Sequence, residues 1–153
     1  MLGCYLDPKN DYAFRRIFGD AKREHVLRQF LNSMLRLAGE RQIEQLHIAD
    51  PHQLPKIKGW KENILDIRCQ DQCQRHFLVE MQVWDQHDFQ HRAVYAAAKA
   101  YTDQLQAGQN YQHLRKVTLL SILGFPFLET PNYLSNHLIL DCLLYTSPSP
   151  RDA

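Results

Sequence analysis

The chain has 153 residues, of which 44% are hydrophobic and 23% are charged. These values are ordinary for a soluble globular protein, and the length leaves room for one domain with a core of its own but not for two. The formal net charge is +1, from 18 Lys and Arg against 17 Asp and Glu. Because the bulk charge is so nearly balanced, any contact with nucleic acid must come from a local basic patch.

The cysteine count and the hydropathy pattern bear on the cellular compartment. Four cysteines in a chain of this length do not suggest a disulfide framework. No apolar stretch is long enough to span a bilayer, and the N-terminus has no signal-peptide pattern. We therefore expect a cytoplasmic protein without membrane contact.

Hydrophobic periodicity predicts the element order α-α-β-β-β-α-β, which favours an α/β domain with a mixed central β-sheet flanked by helices. Gly19, Gly39 and Gly108 are predicted to end the helices. The strand before Pro126 is apolar throughout, as a buried central strand would be. In chain order the predicted elements are a helix from Asn10 or Asp11 to Phe18, a helix over residues 22–37, a strand over 42–48, a loop over 50–55, two strands around Asp66 and Glu80, a helix over 89–105, a strand over Val117–Leu123 and the start of a last strand over 138–140.

Polar residues interrupt two neighbouring apolar runs in the middle of the chain. Asp66 interrupts the first run, and Glu80 and Gln82 interrupt the second. A carboxylate in β-forming sequence is costly unless it has a partner or binds a cation. The three residues are therefore candidates for a metal-dependent catalytic site, the alternative being exposed polar positions on a half-solvated hairpin.

The two strands are predicted to form a hairpin that brings the carboxylates together. Period-two alternation places Asp66 on one face of its strand and both Leu65 and Ile67 on the other. If the polar turn centres on Cys73, Asp66 lies opposite Glu80, at the same sequence distance from the turn. Opposed side chains share a face and can bridge a metal ion, whereas a one-residue slip would separate them. The predicted apolar face of the second strand carries Phe77, Val79, Met81 and Val83.

An ordered series of short motifs carries a resemblance to a known family. The motifs are residues 10–19 (NDYAFRRIFG), 30–32 (FLN), 65–67 (LDI), 79–82 (VEMQ), 92–95 (RAVY) and 108–111 (GQNY). In this order they resemble the Rpn family of recombination-promoting nucleases and transposases, a branch of the PD-(D/E)XK nucleases. The resemblance implies a restriction-endonuclease-like core and cleavage of double-stranded DNA in recombination, genome rearrangement or mobile-element function. Gln82 stands where the wider superfamily has Lys, which leaves the role of the missing ammonium group open.

The resemblance also implies a chemistry for the polar residues. Asp66 and Glu80 would hold Mg²⁺, with the backbone carbonyl of Met81 as a further ligand, for the hydrolysis of a phosphodiester bond. Gln82 would orient the attacking water or contact a phosphate oxygen. Asp11 has the position of a helix cap, but an acid on the first helix completes the metal site in parts of the superfamily.

Two further groups could contact DNA. Arg92, Tyr95 and Lys99 fall at i, i+3 and i+7 and therefore share one helix face. This face is either an ordinary solvated surface with Tyr95 partly in the core, or a phosphate-binding stripe beside the site. Lysines around Trp60 (residues 56–61) form a basic loop with the same two interpretations.

Cys69, Cys73 and His76 admit a zinc site as an alternative. Ligands of structural zinc sites are usually closer in sequence, and a fourth ligand would have to come from His47 or His52. A buried Cys69 and an exposed Cys73 in the turn are the expected arrangement.

The C-terminal residues 142–152 resemble the translation of a sequencing-library adaptor. We therefore expect a nuclease-like domain over residues 7–141 and a non-native tail over 142–153, the domain being an N-terminal fragment that is incomplete at its C-terminus. Other interpretations are a nuclease fold that binds DNA or a protein partner without cleaving, and an inactive fragment. A homodimer is compatible with each of these.

Overall fold

The computed structural model describes residues 7–53, 63–85, 87–129 and 132–138. Within them a mixed β-sheet is flanked by helices on both faces, which confirms the predicted fold class. The helices and strands are α1 (Asp11–Phe18), α2 (Glu24–Met34), β1 (Leu46–Ala49), β2 (His52–Gln53), β3 (Asn63–Ile64), β4 (Ile67–Asp71), β5 (His76–Gln82), α3 (Phe89–Thr102) and β6 (Val117–Leu123), with 3-10 turns at Ala21–Arg23, Gly39–Arg41 and Tyr111–His113.

The helix α1 has the predicted ends because both caps are encoded locally. The side-chain oxygen of Asn10 accepts hydrogen bonds from the backbone N–H groups of Tyr12 and Ala13 at 3.0 and 3.3 Å, so Asn10 is the N-cap. Asp11 is the first helical residue rather than the cap. Gly19 follows the last turn, and its N–H donates to the carbonyl of Arg15.

The helix α2 ends earlier than predicted, at Met34 rather than near Gly39. Arg36 adopts the left-handed conformation with φ 51°, and the N–H of Leu37 donates to the carbonyl of Asn32 at 2.9 Å. This is the pattern of a Schellman motif, which closes a helix without a glycine. The hydrophobic stripe continues past the helix because Leu37 still packs on the core.

The four-stranded sheet has the order β1-β4-β5-β6. β4 and β5 form an antiparallel hairpin, and β5 runs parallel to β6, to which α3 connects it. β2 and β3 pair with each other as a short separate ribbon, where the sequence predicted a loop. The predicted Lys-rich loop around Trp60 and the proposed tail over 142–153 lie outside the described residues, as do residues 139 and 140.

The prediction that Val117–Leu123 is a buried central strand is wrong for the described sheet, in which β6 forms an edge. Leu120 is its one buried residue. The strand is apolar on both sides because Val117 and Leu119 pack towards α3, whereas Ile122 packs towards α1 and α2. Coverage by helices on both faces, rather than a central position, explains the pattern.

The two faces of the sheet carry cores of different size. The larger one packs α1 and α2 against the sheet through Phe14, Leu27, Leu31, Ile43, Ile67, Cys69, Phe77, Val79, Met81 and Leu120. The smaller one packs α3 against the other face through Leu65, Leu78, Ala96 and Ala100. Small alanines let α3 lie close to the sheet, and polar side chains occupy the end of this face beyond Leu78.

Candidate active site

The register of the β4–β5 hairpin is the predicted one. Ile67 lies opposite Val79 and Gln70 lies opposite His76, so the pairing is symmetric about Cys73. Continued by one residue, this register places Asp66 level with Glu80. The two candidate residues therefore lie at the same end of the hairpin.

The turn itself fixes this register. The carboxylate of Asp71 is buried, and its Oδ1 accepts the backbone N–H groups of Cys73 and Arg75 at 3.0 and 2.8 Å. The guanidinium of Arg75 also donates to Asp71. Gln74 takes the left-handed conformation with φ 59°, which the tight turn requires. An alternative register would break this set of bonds around a buried charge.

Asp66 occupies a bend between β3 and β4 rather than a strand position. The prediction that Leu65 and Ile67 share a face is wrong, because Leu65 packs with α3 and Ile67 packs with α1 and α2. The bend turns the carboxylate of Asp66 towards β5, and its Oδ2 accepts the backbone N–H of Met81 at 2.6 Å. Asp66 is thus fixed against the strand that carries Glu80.

Glu80 and Gln82 lie on the α3 side of β5 and share one partner. The Nη2 atom of Arg92, in the first turn of α3, donates to Glu80 Oε1 at 2.8 Å and to Gln82 Oε1 at 3.1 Å. The side-chain nitrogen of Gln82 donates to the carbonyl of Trp84 at 2.8 Å. Gln82 therefore uses both ends of its amide. The oxygen holds the Arg92 guanidinium beside Glu80, and the nitrogen binds the backbone that follows β5.

A second arginine reaches the site from α1, and the sequence analysis missed it. Both Nε and Nη2 of Arg15 donate to Asp66 Oδ1, at 2.9 and 2.8 Å. Arg15 belongs to the first of the family motifs, but nothing in that motif indicates which of its two arginines faces the strands. The contact joins residues 51 positions apart, which only the tertiary structure brings together.

The charges of the site are balanced in pairs. Burial, as the largest cause, and the nearby charge of Asp66 raise the pKa of Glu80, whereas Arg92 acts in the opposite direction. Each carboxylate thus has one arginine, Arg15 for Asp66 and Arg92 for Glu80. The site holds two partly enclosed negative charges that a divalent cation could share.

The oxygen atoms of the site are suitable ligands for a hard cation such as Mg²⁺. The N–H of Met81 points towards Asp66, and because the N–H and C=O of a residue in an antiparallel pair face the same side, the Met81 carbonyl faces that side as well. Two carboxylates and a carbonyl are oxygen ligands of the kind Mg²⁺ accepts while it retains several waters. No group of three or more His, Cys, Asp or Glu residues converges within the described part of the chain. The candidate set therefore depends on Asp66, Glu80 and the Met81 backbone.

The other predicted site residues are placed apart from this set. Tyr95 is partly exposed on α3, and Lys99 is buried, with its Nζ 3.3 Å from Asp103 Oδ2. The structure thus brings Arg92 into the site and leaves Lys99 two helical turns away. Asp11 is the first residue of α1, and its side chain lies outside the described part of the structure.

The cysteines of the zinc alternative have different environments. Cys69 is buried in the larger core, and burial raises the pKa of its thiol to about 12. Its Sγ lies 3.6 Å from the carbonyl of Phe77, to which it donates. Cys73 is exposed in the turn, as predicted. A thiol that stays protonated at neutral pH is a poor zinc ligand.

Comparisons with known proteins identify the family of the chain. The model of a family described as PD-(D/E)XK nuclease family transposase matches residues 8–144. This match confirms the family resemblance inferred from the sequence motifs. Searches of curated proteins and of solved structures found no significant match. No helix in the described ranges is long and apolar enough to cross a membrane.

Proposed function

The chain belongs to the PD-(D/E)XK nuclease family transposases, and from this premise we propose that it is a cytoplasmic, Mg²⁺-dependent endonuclease. Its substrate would be double-stranded DNA, cut in the course of recombination or transposition. The observation that carries the proposal is the convergence of Asp66 on β5, where its Oδ2 meets the Met81 N–H beside Glu80. Two carboxylates and a backbone carbonyl at one strand end supply oxygen ligands of the kind that Mg²⁺ accepts.

In this proposal Asp66, Glu80 and the Met81 carbonyl hold Mg²⁺. When bound, Mg²⁺ supplies a water of lowered pKa and positive charge for the phosphate. The bend at Asp66 and the fixed turn at Asp71 keep the two carboxylates in register. The protein thereby holds the ligands in place before the substrate arrives, which lowers the cost of assembling the site.

Arg92 is proposed to supply the positive charge that Lys supplies in the wider superfamily. Gln82 cannot carry charge, but its Oε1 accepts a hydrogen bond from Arg92 and holds the guanidinium beside Glu80. A guanidinium presents several donors in a plane and can bind a phosphate oxygen while it keeps one protein contact. The presence of Gln82 where the wider superfamily has Lys is therefore compatible with catalysis.

Beyond the cleavage site, DNA is proposed to contact the face of α3 that carries Arg92 and Tyr95. Lys99 would support this face from within, since its ammonium group is buried and paired with Asp103. Asp11 stays a proposed additional acid at the start of α1. A homodimer would place two such sites on one DNA duplex, which suits a protein that cuts both strands.

Plasmid nicking tests the proposal. The wild-type protein should cleave with Mg²⁺ and not with EDTA, and Asp66→Asn and Glu80→Gln should each abolish cleavage, because the metal loses a charged ligand. Glu40→Gln is the matched control, since Glu40 is an exposed acid in the turn Gly39–Arg41. It should cleave as the wild type does.

Two outcomes would contradict the proposal. Equal cleavage by the wild type and both site variants would mean that the nuclease activity comes from elsewhere. Retained DNA binding without cleavage by any form would favour the alternative, a nuclease fold that binds DNA or a protein partner without cutting it.

A further inference from the structure

A cavity of about 580 Å³ opens beside the candidate site, on the side of β5 that faces the start of α1. Its lining includes Asp7, Lys9, Tyr12, Met81, Gln82 and Trp84. Met81 and Gln82 are also the residues that contact Asp66 and Arg92. The cavity therefore shares two residues with the surroundings of the proposed cleavage site.

Two aromatic rings in this cavity are left to the solvent. Trp84 is 79% exposed and Tyr12 is 70% exposed. Large rings bury well and usually do so in a folded domain, so two of them in one concave surface indicate a ligand with an aromatic or apolar face. The volume is sufficient for one nucleotide.

The backbone that carries these rings is tied to the site. The carbonyl of Trp84 accepts the hydrogen bond from the Gln82 side chain at 2.8 Å. The N–H of Tyr12 donates to the Asn10 cap at 3.0 Å, at the first turn of α1. The backbone positions of both rings are thus fixed relative to Glu80 and Asp66.

The charges of the cavity favour a base over a phosphate on its outer side. Asp7 repels phosphate there, and its Oδ1 accepts the N–H of Lys9 at 2.9 Å. The carboxylate of Asp7 can also accept hydrogen bonds from the amino groups of a base. Lys9, on the same wall, supplies one positive charge for the adjoining backbone phosphate.

We propose that this cavity binds one unpaired nucleobase of the DNA strand that is cut, by stacking on Trp84 and Tyr12. Bases inside an intact duplex keep both faces covered, whereas an unpaired base offers a face to an aromatic side chain. The substrate class is therefore DNA with unpaired nucleotides next to the scissile bond, such as a flap or a mismatch. The proposal rests on the function proposed above and specifies its substrate.

Binding without cleavage tests this proposal on the full chain. The sequence has two tryptophans, so Trp60→Phe leaves Trp84 as the one tryptophan reporter. In EDTA, a DNA duplex with a single-stranded flap should quench Trp84 fluorescence, and the same duplex without the flap should not. By fluorescence anisotropy, the flapped duplex should bind at least about fivefold more tightly, as expected for one stacked base.

The variants assign the preference to the cavity. Trp84→Ala should remove the preference for the flapped duplex and leave binding of the plain duplex unchanged. Because Trp84 is exposed, this variant should keep its fold, which circular dichroism checks. Tyr133→Ala is the matched control, since Tyr133 is 89% exposed in the segment 132–138, and it should keep the preference.

Equal affinity for both duplexes, an unquenched Trp84, a preference that survives Trp84→Ala, or no DNA binding by any form would overturn the cavity proposal. The outcome is separable from that of the nuclease proposal because EDTA prevents cleavage throughout. A protein that nicks plasmid without this preference keeps the nuclease and loses the base site. A protein that binds the flap but never cleaves loses the nuclease and keeps the base site.

Discussion

Two arginines reach the candidate carboxylates from opposite sides of the sheet, and their surroundings differ. Arg15 comes from α1, is 51% exposed and places two nitrogens on one oxygen of Asp66. Arg92 comes from α3, is 30% exposed and places one nitrogen between Glu80 and Gln82. In both pairs the carboxylate is more enclosed than the arginine, with the side chains of Asp66 and Glu80 8% and 16% exposed, but Arg92 also binds Gln82.

The difference indicates which contact can be exchanged. Two nitrogens of Arg15 lie within 3 Å of Asp66 Oδ1, whereas Oδ2 accepts one hydrogen bond, from the Met81 N–H. A cation that binds Asp66 through Oδ1 must therefore displace Arg15, whose guanidinium is half exposed and can turn to the solvent while the Met81 N–H keeps Asp66 in place. Arg92 can keep its bond to Gln82 when Glu80 binds a metal.

The largest expected effect on stability comes from the loss of the ion pair between Arg92 and Glu80. Arg92→Ala should lower the free energy of unfolding by roughly 1–3 kcal/mol, because it leaves the buried acceptors of Glu80 and Gln82 without this donor. Arg15→Ala should cost less, about 1 kcal/mol, because the Asp66 side chain, although only 8% exposed, keeps the hydrogen bond from the Met81 N–H. Urea unfolding of the two variants measures the difference. Equal losses would mean that the two arginines are energetically equivalent.

The guanidinium group of Arg92, which Glu80 and Gln82 share, can be replaced by a lysine ammonium group on β5. Gln82→Lys should lower stability by about 1 kcal/mol, because it replaces the acceptor for Arg92 by a second positive charge. The double variant Gln82→Lys/Arg92→Gln should recover part of this loss, since one cation again faces Glu80. A double-mutant cycle in urea measures the coupling. Additive effects would show that the two positions do not share a cation.

The smallest effect is expected in metal affinity. Arg15→Gln should raise the affinity for Mn²⁺ about two- to fivefold, because the metal no longer competes with the half-exposed Arg15 guanidinium for Asp66 Oδ1. Isothermal titration calorimetry without DNA measures it. Arg16→Gln removes the same charge from the next residue, which is also exposed, and is the matched control. An equal rise in both variants would indicate a general charge effect, and no rise would contradict competition at Asp66.

Much of the site could be predicted from the sequence where the signal is local. The hairpin register follows from alternation and from the polar turn, so the pairing of β4 with β5 about Cys73 was predicted correctly. The ends of α1 follow from Asn10 and Gly19, which cap it through their own chemistry. These features depend on residues close to each other in the chain.

The errors of prediction arise where distant packing decides. The bend at Asp66 separates Leu65 from Ile67, and each packs on a different face because different helices cover them. The edge position of β6 depends on the order of strands, which periodicity does not encode. In both cases the sequence pattern indicates that a residue is buried, but not which helix or strand buries it.

The sequence by itself determined the family, the α/β class, the hairpin and the three polar residues on it, because motif spacing and alternation are properties of neighbouring residues. The tertiary structure alone decided that Arg15 pairs with Asp66, that Gln82 holds Arg92 rather than standing free, and that Trp84 and Tyr12 line one cavity. These contacts join separate elements, and their partners are set by how α1 and α3 pack on the sheet. Only the folded chain specifies that packing.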